Sequence, residues 1–471
     1  MLTIKLALRT LLKRKGRMAL IGVLVVFGTV LIVVGGSIAN SADIASREAI
    51  IGSFTGDFIV YAANSKELPS PFAFQTPLPN IRNTDQVVKA VEALEGVEAY
   101  TFYSQNYGLI QVERDGKKVD LPFIFYAVEP GPYRSVFSNV GVKEGSYFGL
   151  PDGNNEAKAK SGILISRFQN EQYLENYGLT LQAGERVVLL GLTEGGVNTV
   201  SSELVGIFEP QKYKSVFDYI NYMDSATYSN LYNYTGVDAL PAAFNEGLAA
   251  AGSDEESLFA LADDEDFGKL DLSTLTSEAL SGFTMMAVKL KDHSKADALI
   301  AQLEAQEDLG IKVARWDLAS GFYAQIAAAL QAFIYLATAL IFLVVTMIFM
   351  NTLIINVVER TAEIGTMRAI GADKSFVRGV FLAETLVLNV GAALIAMVAS
   401  FIILLLTSVH GLPLPEAISQ YLIGGGPLSI KLSPVPFVIA LVTVVLVSVI
   451  ATIYPVRVAT SITPLKAMSE R

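Results

Sequence analysis

The chain has 471 residues, 52% of them hydrophobic, and its mean hydropathy is +0.45, too apolar for an ordinary soluble protein of a few domains. Its net charge is −11, and the acidic residues concentrate in the middle of the chain, which argues against a nucleic-acid partner. It contains no Cys, so a disulfide framework and thiol chemistry are excluded.

Residues 1–17 carry Lys5, Arg9, Lys13, Arg14, Lys15 and Arg17 and no acid. Ile4, Ala7, Leu8, Leu11 and Leu12 share one helical face opposite Arg9, Lys13 and Arg17, so this piece reads as an amphipathic helix on the inner membrane surface or as a topogenic basic tail. A secretory signal is the competing reading, with Met18 to Gly35 as its core, but that apolar run is too long.

Charge-free stretches locate membrane spans, since a helix needs about 20 apolar residues to cross and a charge at its centre is costly. Four qualify: Met18 to Ala39, Leu318 to Val358, Thr385 to Val409 and Leu432 to Val456. They predict spans at 18–41, 321–358, 379–409 and 432–456. The second stretch is 41 residues long. As a helix it would measure about 60 Å, twice the hydrocarbon thickness, and so extend beyond the membrane as a stalk. The bases before the first span, together with Arg360, Arg368, Lys374 and Arg378 between the second and third and Arg457, Lys466 and Arg471 after the fourth, put both termini in the cytoplasm. The loop 410–431 has a single base and falls outside.

Residues 42–320 then form one extracytoplasmic domain, with 21 Lys and Arg against 40 Asp and Glu from residue 40 to 320. "GDFIVYAA" (56–63), "GVEAYTFYSQNYGLIQVER" (96–114) and "LPFIFYAVEP" (121–130) read as strands, and Thr84 to Leu94 as a helix behind a Thr/Asp start. From Ser161, a strand, a short helix and two further strands suggest a second, more β-rich lobe. An acidic insertion at about 245–282, densest over 252–271, lacks the order of a calcium loop and reads as a solvated segment. After it, "FTMMAVKLKD" and "HSKADALIAQLEAQ" supply a strand and a helix that can return to the first lobe. Trp316 sits just outside the long second span, as a packing anchor of the stalk. The expected fold class is an α-helical membrane protein with four transmembrane helices plus a large two-lobed mixed α/β extracytoplasmic domain.

A search for chemistry finds no phosphate-binding loop, no dinucleotide fingerprint, no nucleophile elbow and no His/Cys metal spacing. No catalytic, cofactor-binding or metal-binding residue is assigned. The informative stretch is "VVERTAEIGTMRAIGA" (357–372), a charged island between two spans. As a helix it places Glu359, Glu363, Thr366 and Ile370 on one face with Met367 beside them, and Gly371-Ala372-Asp373 turns the chain back. Such a helix either sits in a partner's groove or serves as a solvated cap.

The run from Asn351 to Ser400 resembles the signature of the FtsX-like permease family of ABC transporters, which includes MacB-type exporters and lipoprotein-releasing permeases. The matching residues are Asn351, Glu359-Arg360, Glu363-Ile364-Gly365, Met367-Arg368-Ala369-Ile370-Gly371-Ala372, Glu384 and Gly391. The chain's last segment also resembles that family's, through Tyr454, Pro455, Arg457, Ala459, Pro464 and Ala467, with Met468 where Leu is usual. "ILISRF" and "GERVVLL" are similar, more weakly, to the MacB-type periplasmic domain.

The resemblance implies a transmembrane, non-catalytic permease subunit that dimerises with an identical or different second chain and binds ABC ATPase subunits at the inner face. ATP and Mg would be held by those separate ATPase subunits, and no cofactor by this chain. The resemblance makes 359–378 the cytoplasmic coupling helix and loop, with Glu359, Arg360, Glu363, Gly365, Met367, Arg368 and Gly371 as ATPase-coupling residues. A substrate path between the first and second spans would involve Phe322, Tyr323, Phe333 and Tyr335; aromatic residues there also serve as interfacial anchors. Tyr454 and Arg457 would anchor the inner end of the fourth span, before a tail at 457–471. The implied location is the cell inner membrane, among its lipids. The implied function is lipoprotein release or export of an amphiphile or peptide, with a periplasmic carrier as a further partner. Mechanotransmission to a periplasmic partner such as a cell-wall hydrolase is the alternative, and a membrane-anchored sensor or binding protein a third.

Overall fold

The computed structural model describes residues 15–70, 78–114, 116–150, 159–193, 196–232, 235–237, 277–279, 282–359, 365–368 and 370–461. The amphipathic segment before Lys15, the acidic stretch 252–271, Arg360 and Glu363 lie outside the described residues, as do Pro464 and Ala467. The chain divides into two compact units, Glu48–Ala324 and the combination of Met1–Arg47 with Gln325–Arg471.

Unit Glu48–Ala324 is built on strands β1 Phe58–Ala62, β2 Val97–Arg114, β3 Lys117–Val128, β4 Val140–Gly145, β5 Ile163–Ser166, β6 Arg186–Thr193, β7 Gly196–Pro210, β8 Asn221–Asp224, β9 Thr235–Val237, β10 Ser277–Ala279, β11 Met285–Leu290 and β12 Ile311–Arg315. Ten of them form one sheet in the order β12-β1-β11-β2-β3-β8-β5-β7-β4, with β6 paired to β2 and β7; β9 and β10 pair separately. The pairs β3–β8 and β5–β7 are parallel.

The two lobes expected from the sequence therefore share a single sheet. The cause is the length of β2: its 18 residues pair β11 from Val97 to Tyr103, β3 from Tyr103 to Arg114, and β6 from Leu109 to Gln111. The strand after the acidic stretch does return to the first lobe, where β11 lies between β1 and β2.

The near-continuous apolar runs of β1 and β11 follow from burial on both faces. Phe58 and Val60 pack with Met286, Val288 and Leu290 beneath the helices Thr84–Glu92 and Ala296–Glu304, through Val87, Val91, Leu299 and Leu303. Ile59 and Tyr61 face the opposite way, with Met285 and Ala287, into an aromatic cluster. There Tyr103 and Tyr126 have ring centroids 5.6 Å apart, Tyr133 and Tyr222 5.5 Å, and Tyr133 and Phe137 4.8 Å. Two of the buried hydroxyls have carbonyl partners: Tyr103 donates to the Phe54 carbonyl at 3.2 Å and Tyr147 to that of Pro130 at 3.0 Å. Burial pushes both phenols above their ordinary range.

Gly56 is required where the chain enters β1. It has φ +64, and an added Cβ would lie 2.5 Å from the Val288 carbonyl oxygen. Asp57 next to it is fully buried; its carboxylate accepts from the Leu290 N–H at 2.7 Å and lies 2.6 Å from His293 Nδ1.

In the other unit the long helices are the first, Lys15–Ile50, whose end enters Glu48–Ala324; the second, Phe322–Glu359, which begins there; the third, Lys374–His410; and the fourth, Val435–Ser461. Among the described residues, Gly22–Thr55, Lys374–His410 and Val435–Tyr454 are long and apolar enough to cross a membrane. The remaining expected span lies on Phe322–Glu359, a continuous helix of 38 residues. The third and fourth helices pack through Ala392, Ala393, Val444 and Ala451, with Val25 of the first. Small residues suit this packing, because in lipid, association depends on close backbone approach rather than on the hydrophobic effect. Within it the Asn389 amide donates to Ser448 Oγ at 2.7 Å, and Ser448 donates to the Val444 carbonyl at 2.6 Å. The segment 410–431 contains a helix, Glu416–Ile423, and a Leu412–Leu428 bridge whose two hydrogen bonds measure 2.8 and 2.9 Å.

Candidate functional site

The turn between the second and third long helices is built from local backbone chemistry. Residues Gly365 to Arg368 are helical. The Ala372 N–H donates to the Met367 carbonyl at 3.0 Å and the Gly371 N–H to that of Arg368 at 3.1 Å, while Gly371 adopts φ +102. This pair of bonds around a left-handed glycine is the Schellman termination, and it uses carbonyls that the helix end would otherwise leave unsatisfied. Met367 and Ala372 pack against Val377, Phe381 and Val456, the apolar contact that accompanies this termination. The chain then enters the third helix at Asp373, whose carbonyl accepts from the Val377 N–H at 3.2 Å.

The expected coupling residues divide accordingly. Glu359 is the last residue of Phe322–Glu359, and Arg360 and Glu363 lie outside the described residues. Gly365 is buried, Met367 and Arg368 are partly buried, and Gly371 is exposed. Thr366 is exposed and Ile370 is 83% exposed, an apolar side chain presented at the turn. An added Cβ at Gly371 would meet nothing within 4 Å, so glycine is favoured there by φ alone.

The residues expected along a substrate path are dispersed. Phe322, Phe333 and Tyr335 are exposed, whereas Tyr323 is buried, its ring 5.3 Å from Tyr213 and 6.1 Å from Phe54 in the aromatic cluster. Trp316 packs partly buried against that cluster. Tyr454 and Arg457 are exposed on the fourth helix, and Glu384 is buried on the third. Sequence reasoning passed over Asn389 and Ser448; the available signal was an amide and a hydroxyl inside stretches otherwise read only for charge. Among the described residues no group of His, Cys, Asp and Glu could hold a metal.

Long apolar helices joined to a large mixed α/β unit define a membrane protein with an extra-membrane domain. Residues 335–464 match the family described as FtsX-like permease C-terminal, so this part of the chain is an FtsX-like permease domain. No curated protein matches the chain. Similar solved structures include the extracellular domain of the noncanonic ABC-type transporter YknZ from Gram-positive bacteria, at 11% identity over 55% of this chain and 99% of that one, with a TM-score of 0.27. A domain described as from a permease protein of Porphyromonas gingivalis is 15% identical over 50% of this chain and 91% of that one, with a TM-score of 0.22. The family assignment rests on residues 335–464.

Proposed function

We propose that this protein is the permease subunit of an ABC-type transporter, coupled through the turn at 359–378 to a separate ATPase subunit. The observation that carries the reading is the glycine-terminated turn within the family-matched region, with Ile370 83% exposed at its end. An apolar side chain held out by a backbone-bonded turn is suited to a pocket on another subunit. Rigid closure of that turn also lets a push at Ile370 reach the third helix, since Met367 and Ala372 pack on Val377 and Phe381.

In this reading the chain is non-catalytic, acts as a dimer in the inner membrane, and has cytoplasmic termini. On the same reading Glu359, Arg360, Glu363, Gly365, Met367, Arg368 and Gly371 serve the ATPase contact together with Ile370, and ATP and Mg belong to the partner. The substrate class we favour is a lipoprotein or other amphiphile taken from the membrane. The test is affinity purification of the tagged, detergent-solubilised protein followed by mass spectrometry. Recovery of an ABC ATPase with an acylated lipoprotein supports the full reading. An ATPase accompanied by a soluble hydrolase and no lipoprotein would replace transport by mechanotransmission, and recovery of no ATPase would overturn the coupling role.

A further inference from the structure

Inside Glu48–Ala324, aromatic rings join the end of the first long helix to the start of the second. The first helix closes as a π-helical turn, Ile51–Thr55, in which the Gly56 N–H donates to the Ile51 carbonyl at 3.1 Å. Phe54 of this turn is buried, and its ring lies 5.3 Å from that of Tyr213 and 5.8 Å from that of Phe217. Tyr213 is also 5.3 Å from Tyr323, in the first turn of the second helix, whereas Phe54 and Tyr323 are 6.1 Å apart. Tyr213 therefore touches both helix ends from the connection between β7 and β8, which belongs to neither helix.

Two features of Tyr213 are unfavourable where it stands. Its backbone is left-handed, with φ +51 and ψ +44, a region that bulky L-residues avoid because Cβ crowds the following carbonyl. Its hydroxyl is buried and has no hydrogen-bond partner, although burying such a group unpaired is costly. The surroundings impose both. The Gln211 N–H donates to the Asn139 carbonyl at 3.1 Å and the Lys212 N–H to Asn139 Oδ1 at 2.7 Å. The Tyr213 carbonyl accepts from the Val216 and Phe217 N–H groups at 3.0 Å each, which starts the short helix Lys214–Phe217. Withdrawal of residues 213–217 relieves both costs, since φ can return to negative values and the hydroxyl reaches water; burial of the rings opposes it. Single π-turns and residues held in sparsely populated backbone regions concentrate at functional sites.

We propose that Tyr213 is a strained latch: it holds the ends of the first and second long helices together in one arrangement and releases them in another, by withdrawal of residues 213–217 with the sheet intact. Opening is local because 213–217 lies between β7 and β8 and belongs to neither strand. The unpaired hydroxyl and the left-handed backbone narrow the gap between the two arrangements, so a modest bias on either helix shifts their populations. The latch lies wholly within Glu48–Ala324 and is independent of the ATPase contact at the turn 359–378.

The experiment is hydrogen exchange read by mass spectrometry on the full-length protein in detergent, comparing the amides of 51–56 and 213–220 with those of β11 as an internal reference. In the wild type these joint amides should exchange about tenfold or more faster than β11. Tyr213→Phe keeps the ring and removes only the unpaired oxygen, so it should slow exchange at the joint by about tenfold and leave β11 unchanged. Tyr213→Ala removes the ring and should speed exchange at the joint, with continued protection of β11 showing that the domain is folded. Trp316, the single tryptophan, packs against the same aromatic cluster, so acrylamide quenching of its emission should fall in Tyr213→Phe and rise in Tyr213→Ala. If Tyr213→Ala fails to fold, the Phe variant decides alone. Exchange of the joint in step with β11 in the wild type, or exchange and quenching that Tyr213→Phe leaves unchanged or increases, would overturn the latch and leave Tyr213 an ordinary core residue.

Discussion

The unit Glu48–Ala324 and the helical unit bury different kinds of side chain. In the first, the largest fully buried groups are aromatic, among them Tyr103, Tyr126, Tyr133, Tyr222, Phe123 and Phe125. In the second, the buried positions of the third and fourth helices include many small or hydroxylic residues, among them Ala392, Ala393, Ala396, Ser400, Ala440, Ser448 and Ala451. Water drives the aromatic core together in proportion to the apolar area removed from it. In lipid that driving force is missing between helices, so stability comes from close packing of small residues and from hydrogen bonds such as Asn389 to Ser448. One chain thus carries two solutions to folding, each suited to its solvent.

That contrast can be broken from either side. Phe125→Ala is expected to have the largest effect, since the ring is fully buried and stacks on Phe123 with centroids 4.9 Å apart. Its loss should cost about 3–5 kcal/mol, read as early protease cleavage within Glu48–Ala324 while the long helices stay protected. In the helical unit the damaging change is enlargement. Ala393→Leu should cost about 1–3 kcal/mol by overpacking and lower the thermal transition of the detergent-solubilised protein, whereas Ala393→Gly should do less harm.

A smaller effect sharpens the comparison electrostatically. Burial pushes the Asp218 carboxyl up to about 6, against a partial opposing pull from the Lys214 charge. The folded state therefore holds this proton more tightly than the unfolded chain, so the group's destabilising contribution is present above pH 6 and fades as pH falls through that value toward the ordinary carboxylate range. Asp218→Asn should raise the thermal transition at pH 7.5 and leave it nearly unchanged at pH 4. Equal shifts at both pH values would mean that the effect is not one of charge.

Much of this organisation is legible in the residues. The run "GDFIVYAA" becomes β1, the 19 residues from Gly96 to Arg114 become β2 less its first residue, and Thr84 to Leu94 contains the helix Thr84–Glu92. The Gly371 turn is readable because glycine alone accepts its φ without strain. Continuity of the sheet was not readable, because it depends on which parts of β2 meet β11 and β6, pairings far apart in sequence. The helix Glu416–Ile423 was missed since it lies in a stretch read only for its scarcity of basic residues.

The central claim, that the turn at 359–378 contacts an ATPase, can be tested directly because the chain has no Cys of its own. A single cysteine at Ile370, 83% exposed, would be treated in membranes with a short bifunctional cross-linker, with and without ATP, and adducts identified by mass spectrometry. The account predicts an adduct with an ABC ATPase whose yield changes with nucleotide and is lost when Glu359 and Glu363 are both reversed to Lys. A cysteine at Ile370 that labels freely with a soluble maleimide yet forms no ATPase adduct under any nucleotide condition would contradict it.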